Sequence, residues 1–159
     1  SWARDVYKRQ EHTYVQDPVE LYRQLKPVDE GNAYTQWADK SWGHQGEPYM
    51  IDEFGGIRWV KKMKAEEVAP ETAFWGYGKD PQSLEEFYQR LEEQVNVVLS
   101  IDGITGFCYT QIVDVELEKN GIFTYDREEK FDMERIRKIF GKSREQAKKE
   151  VEMMLKERK

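Results

Sequence analysis

Residues 47–59 read EPYMIDEFGGIRW, a short apolar run that ends in a carboxylate and passes at once into Phe-Gly-Gly. A carboxylate there adds nothing to a core, and paired glycines permit positive φ and close backbone approach. The combination predicts a strand over 48–52 that delivers one acid, Glu53, to a site. Asp52 is expected on the opposite side, because successive strand side chains alternate.

Working outward, EHTYV (11–15) has strand propensity, and Asp17-Pro18 opens a short helix carrying Leu21 and Leu25 that Pro27 is expected to stop. A polar, Gly-rich loop with Trp37, Trp42 and His44 leads into the 48–52 strand, and a second long loop contains FWGYGKDP. Ser83 and Glu86 form a capping-box pattern. Leu84, Phe87, Tyr88, Leu91, Val95, Val98 and Leu99 then recur at helical spacing, predicting an amphipathic helix over 84–99. Asp102-Gly103 turns into ITGFCYTQIV (104–113), a mostly apolar strand of the parallel, buried kind. Asn120-Gly121 is a turn signal. A helix is expected from Asp132 to Gly141, and Ser143 with Gln146 caps a last, highly charged one that reads as a surface helix or linker. Strand and helix alternate three times, which implies an α/β fold with a parallel sheet. The long aromatic strand-to-helix loops are those of the catalytic face of a (β/α)8 TIM barrel, of which this chain would be about the last three βα units.

The 159 residues carry 25 Lys+Arg against 31 Asp+Glu, a net charge of −6, which argues against a nucleic-acid partner. No apolar run reaches the roughly 18 residues that crossing a membrane requires. With one cysteine and two histidines, neither an internal disulfide nor a His/Cys zinc cluster can be assembled. Cys108, mid-strand, is expected in the core. The first ten residues, SWARDVYKRQ, read as the translation of a sequencing-library adapter, and fold reasoning starts at Glu11; the other reading is an ordinary polar terminus.

PYMIDEFGGIRW, WGYGKDPQSLEEFYQRLEEQV and GFCYTQIVDVELEKNGIFTYDREEKFD, in this order, resemble the carboxy-terminal part of the catalytic barrel of glycoside hydrolase family 2. The resemblance covers residues 11–140, with 142–159 outside it. It implies barrel strands six, seven and eight, a carbohydrate substrate, and a larger parent chain supplying the rest of the barrel and β-sandwich domains. It also implies hydrolysis with retention through two carboxylates about 5–5.5 Å apart. Glu53 falls at the nucleophile position. Arg58 is either a cation beside it or a surface residue, and the glycines after it are expected to make room for sugar.

Tyr14 matches a strand-six Tyr that holds the nucleophile, the alternative being a packed aromatic. His12, on the same strand face, is a candidate for lining the sugar pocket, although the family commonly has Asn-x-Tyr here. Where many members end strand eight in Trp, this chain has Tyr109-Thr110-Gln111. Tyr109 or Gln111 would then line the pocket, or pack in the interior. Asp114 and Glu116 are expected as solvated loop charges, with sugar hydroxyls as the other role. Trp75 is taken as a substrate-binding rim residue among the loop aromatics Trp37, Trp42, Trp59, Trp75 and Tyr77, and His44 as a solvated loop residue.

The family's acid/base follows an Asn at the end of strand four, and this chain contains no Asn-Glu dipeptide. Alone, the chain is therefore expected to be inactive, since losing general acid catalysis costs roughly two to four orders of magnitude. No cofactor or metal is expected. A carbohydrate-binding pseudoenzyme module is the competing reading. The glucuronidase Asn-x-Lys pair is unmatched at 96–98 and 120–122, which favours a β-galactosidase-like activity. Compartment stays open between cytoplasmic and secreted or periplasmic.

Overall fold

The computed structural model describes residues 9–36, 44–60 and 74–158. Their order is β1 (Arg9–Thr13), α1 (Pro18–Leu25) with a 3-10 helix after it (Lys26–Glu30), β2 (Tyr49–Gly55), α2 (Leu84–Ser100), β3 (Ile104–Thr110), α3 (Met133–Phe140) and α4 (Arg144–Glu157). The strands make one parallel sheet in the order β1-β2-β3. The chain is therefore α/β, as the alternation implies.

Local chemistry starts the helices where the sequence places them. Asp17 accepts the Val19 and Glu20 N–H groups, with Pro18 in the first turn. Ser83 accepts the Glu86 N–H at 3.1 Å, but the Glu86 carboxylate reaches the Gln82 N–H at 2.7 Å, so only half of the expected capping box forms. Ser143 and Gln146 form the complete box. α1 ends at Leu25, ahead of Pro27 as expected, but Pro27 does not stop the chain from coiling further. It sits in the first turn of the 3-10 helix, where its missing N–H costs nothing, and Gly31 at φ 78° ends that helix.

β1 begins two residues before the expected strand. Arg9 and Gln10 belong to it, and the buried Arg9 guanidinium donates to Glu11 at 2.7 Å. β3 stops at Thr110 because Gln111 leaves the ladder to bond Asn120.

The core lies on the helix side of the sheet. Tyr49, Ile51, Phe54 and Ile104 point there and are buried with Leu21 and Leu25 of α1, Phe87, Leu91, Val95 and Val98 of α2, and Ile136 and Ile139 of α3. Each fully buried Leu or Val contributes about 1.5–3 kcal/mol of transfer free energy. The last helix packs on α2 through Ala147, Val151 and Met154, and Lys142 joins Glu92 of α2 to Glu150 of α4. Cys108 is exposed rather than in the core. It lies on the face that none of the described helices covers, between Phe107 and Tyr109, which turn toward Phe54 and Phe140 on the other side.

Two irregularities in the ladder set up the site. β3 carries one extra residue between the pairs Tyr49–Ile104 and Met50–Gly106, and β2 carries one between Ile51–Phe107 and Phe54–Tyr109. Against β1 the same β2 insertion falls between Glu11–Ile51 and His12–Glu53. An extra residue of this kind re-aims the side chains around it.

Candidate active site

The β2 bulge puts Asp52 and Glu53 on one side of the sheet. Ile51 and Phe54 are fully buried toward the helices, while both intervening carboxylates face the opposite side of the sheet and meet the same imidazole. The alternation that would send Asp52 the other way fails because the strand has two residues opposite the single Cys108. His12 Nδ1 lies 3.2 Å from Glu53 Oε2, and its Nε2 lies 3.3 Å from Asp52 Oδ1.

Glu53 Oε2 also accepts a hydrogen bond from the Tyr14 hydroxyl, and Thr110 Oγ1 is 3.5 Å from that hydroxyl. Burial, and then the bond to Glu53, push the Tyr14 phenol far above its usual pKa, so it remains a donor at any ordinary pH. Among the described residues, Glu53 Oε1 has no hydrogen-bond partner, and the side chain is 42% exposed. One carboxylate oxygen is held and the other is unengaged among the described residues.

Tyr14 is itself fixed from two directions. Its ring stacks on Tyr77 at 3.6 Å, and Tyr77 meets Trp75 edge-on at 5.9 Å. Gln16 donates to Gly55 O at 2.6 Å and Tyr14 O at 3.2 Å, tying the end of β1 to the end of β2. Beneath them the buried Gln94 of α2 donates to Val15 O and Gln16 O. Trp75 is 46% exposed at the outer end of this aromatic row, held by backbone bonds to Leu117 and Lys119.

The glycines after Glu53 serve a different purpose from the one expected. A Cβ on Gly55 would come within 2.4 Å of the Tyr109 ring, and one on Gly56 within 2.3 Å of the Tyr77 ring. They make room for two tyrosines, not for a sugar, and both take positive φ. Tyr109 packs against Phe54 and Phe140 on the helix side, away from Glu53. Gln111 donates to Asn120 Oδ1 at 2.8 Å, inside the loop after β3.

Other expected roles change as well. Arg58 pairs with Asp80 and donates to Phe74 O. Asp114 is no solvated charge: its carboxylate is buried, bonded to Lys130 Nζ and the Gly121 N–H, each at 2.8 Å. Burial holds the Lys130 ammonium below its ordinary pKa. Asn120-Gly121 is not the turn. Gly121 is pressed against the backbone of Val113 and Asp114, and the chain reverses at Val115–Glu118, where Glu116 takes φ 50°. Trp59 packs on Phe87, and His44 bonds Glu47 O with its ring edge-on to Tyr49. Trp37 and Trp42 lie outside the described residues.

Glu53, Tyr14 and His12 are thus brought together, with Trp75 at the margin, while Tyr109 and Gln111 are placed elsewhere. Asp52, Tyr77 and Gln16 complete the cluster. The Tyr77 aromatic was legible as part of WGYG; the Asp52 orientation had no signal in the sequence.

No protein-family model matches this chain, and no curated protein matches it in sequence. Among solved structures its fold is similar to a GH2 β-galacturonidase from Eisenbergiella tayi bound to galacturonate. The TM-score is 0.52 at 19% identity, covering 84% of this chain and 23% of that one. A GH2 β-galacturonidase from the same organism bound to glycerol gives 0.51 at 22% identity with the same coverage. A β-glucuronidase from Faecalibacterium prausnitzii gives 0.49 at 17% identity, over 84% and 21% of the two chains. The chain spans less than a quarter of the length of these proteins. At such identities the likeness is one of fold.

Proposed function

We propose that this chain is the carboxy-terminal part of the (β/α)8 catalytic barrel of a retaining β-glycosidase, with Glu53 as its nucleophile. The observation that carries the reading is the Tyr14 hydroxyl donating to one oxygen of Glu53, at the carboxyl ends of two adjacent parallel strands, while the other oxygen is unpartnered among the described residues. Carboxyl ends of parallel strands are where barrel enzymes place their chemistry.

In this mechanism Glu53 Oε1 attacks the anomeric carbon as the bond to the leaving oxygen breaks, giving a glycosyl ester. Tyr14 holds the carboxylate oriented before attack. As the ester forms, Oε2 becomes its carbonyl oxygen and loses charge, so the same donor must be able to relax. The leaving oxygen takes a proton from a second carboxyl, which later removes one from the attacking water. Asp52 is a poor candidate for that role, since it is largely buried, 18% exposed, and faces His12. The proton donor is assigned to a part of the parent protein outside this chain, and the chain alone is inactive. Trp75, with Tyr77 behind it, serves as an apolar margin on which a sugar or aglycone face can rest.

The sugar is a β-glycoside, with galactosides and uronosides the two classes to compare. The missing Asn-x-Lys pair favours the former, while the structural neighbours are named for the latter. Product stereochemistry tests the mechanism: proton NMR of the complete parent enzyme turning over an aryl β-glycoside should show the β-anomer released first. First release of the α-anomer would mean inversion and remove Glu53 as nucleophile. Turnover by the purified 159-residue chain would overturn its proposed inactivity.

A further inference from the structure

We propose that Asp52 is a positioning residue for Glu53, acting through His12; the proposal rests on the reading of Glu53 as the nucleophile. The β2 bulge places two consecutive carboxylates on one face, and the imidazole of His12 lies between them, 3.2 Å from Glu53 Oε2 and 3.3 Å from Asp52 Oδ1. Asp52 Oδ1 is screened from solvent and has no well-aligned donor among the described residues, His12 Nε2 being its near neighbour. A buried carboxylate oxygen without a donor is costly, so the ring is drawn toward it and kept from swinging out to solvent.

The consequence falls on Glu53. Tyr14 and His12 both approach Oε2, from β1 and the segment just after it, and together they define which oxygen is held and which attacks. With an N–H directed at each carboxylate, as the doubly protonated ring provides, His12 is anchored by Asp52 and the carboxylate plane is fixed by two contacts on one oxygen rather than one. Without the anchor the imidazole, 39% exposed, is free to rotate away, and the held geometry depends on Tyr14 alone. This is the second-layer logic by which an outer carboxylate orients an inner histidine.

A double-mutant cycle on the complete parent enzyme separates this relay from a plain structural effect. Asp52→Asn should lower kcat about tenfold with KM within about twofold, as expected for loosening the orientation of the attacking group. In His12→Asn the side-chain amide replaces Nδ1 toward Glu53 without any link to Asp52, so adding Asp52→Asn to that variant should change kcat by less than about twofold. Should Asp52→Asn not fold, Asp52→Ser makes the same comparison. Equal losses in the two backgrounds, or an unaltered kcat in Asp52→Asn, would overturn the relay. If instead Glu53→Gln retains full activity, the nucleophile assignment fails, which is a separate result from failure of the relay.

Discussion

Glu53 and Asp114 are both carboxylates beyond the apolar run of a parallel strand, and the molecule treats them in opposite ways. Asp114 is consumed by its surroundings: it is buried, paired with Lys130 and bonded to the Gly121 N–H. Glu53 is half exposed and held by one oxygen, with the other unengaged among the described residues. A saturated acid secures a loop, whereas a half-saturated, oriented one is suited to chemistry. Damage at the end of β2 should therefore appear in rate, and damage after β3 in stability.

The largest effect expected is on rate. Glu53→Gln in the parent enzyme should lower kcat by at least about three orders of magnitude while leaving the melting temperature nearly unchanged. A variant that unfolds instead would place Glu53 with Asp114 as a structural acid. Asp114→Asn should do the reverse. Leaving the Lys130 ammonium buried without its partner costs about 3–5 kcal/mol, readable by urea denaturation, with the rate per folded molecule preserved. Intact stability in that variant would break the contrast from the other side.

Tyr14→Phe comes next. Without the donor that holds Glu53 in line for attack, kcat should fall about ten- to a hundredfold. An unchanged kcat would make Tyr14 a packed aromatic on Tyr77 and nothing more. The smallest effect concerns pH. Burial lowers the Lys130 pKa in the folded state, so the unfolded chain binds that proton more tightly. Stability from this group then rises with pH between the lowered folded value and the ordinary one of about 10.4. Wild type should gain on Lys130→Met across that alkaline window in denaturation series, and a constant difference would contradict the direction of the shift.

What the sequence made legible follows the range of the interactions involved. Helix starts were readable because Asp17, Ser83, Asp132 and Ser143 each act within three residues of themselves. The acid at the end of EPYMIDEFGG was readable for the same local reason. Asp52 was misplaced because its direction depends on register with β1 and β3, which no local pattern reports. The purpose of Gly55 and Gly56 was hidden because the rings they admit, Tyr109 and Tyr77, come more than twenty residues later. Asp114 was misread as solvated because its partner Lys130 is sixteen residues away, across a loop whose turn lies at 116 rather than 120.

The most direct test is to trap the covalent intermediate. A 2-deoxy-2-fluoro β-glycoside with a good leaving group slows hydrolysis of the glycosyl ester by withdrawing electrons from the anomeric centre, so the ester accumulates and can be located by peptide mass mapping of the complete parent enzyme. One added sugar is expected on the peptide containing Glu53, and none in Glu53→Gln. A stable adduct on any other residue would contradict it.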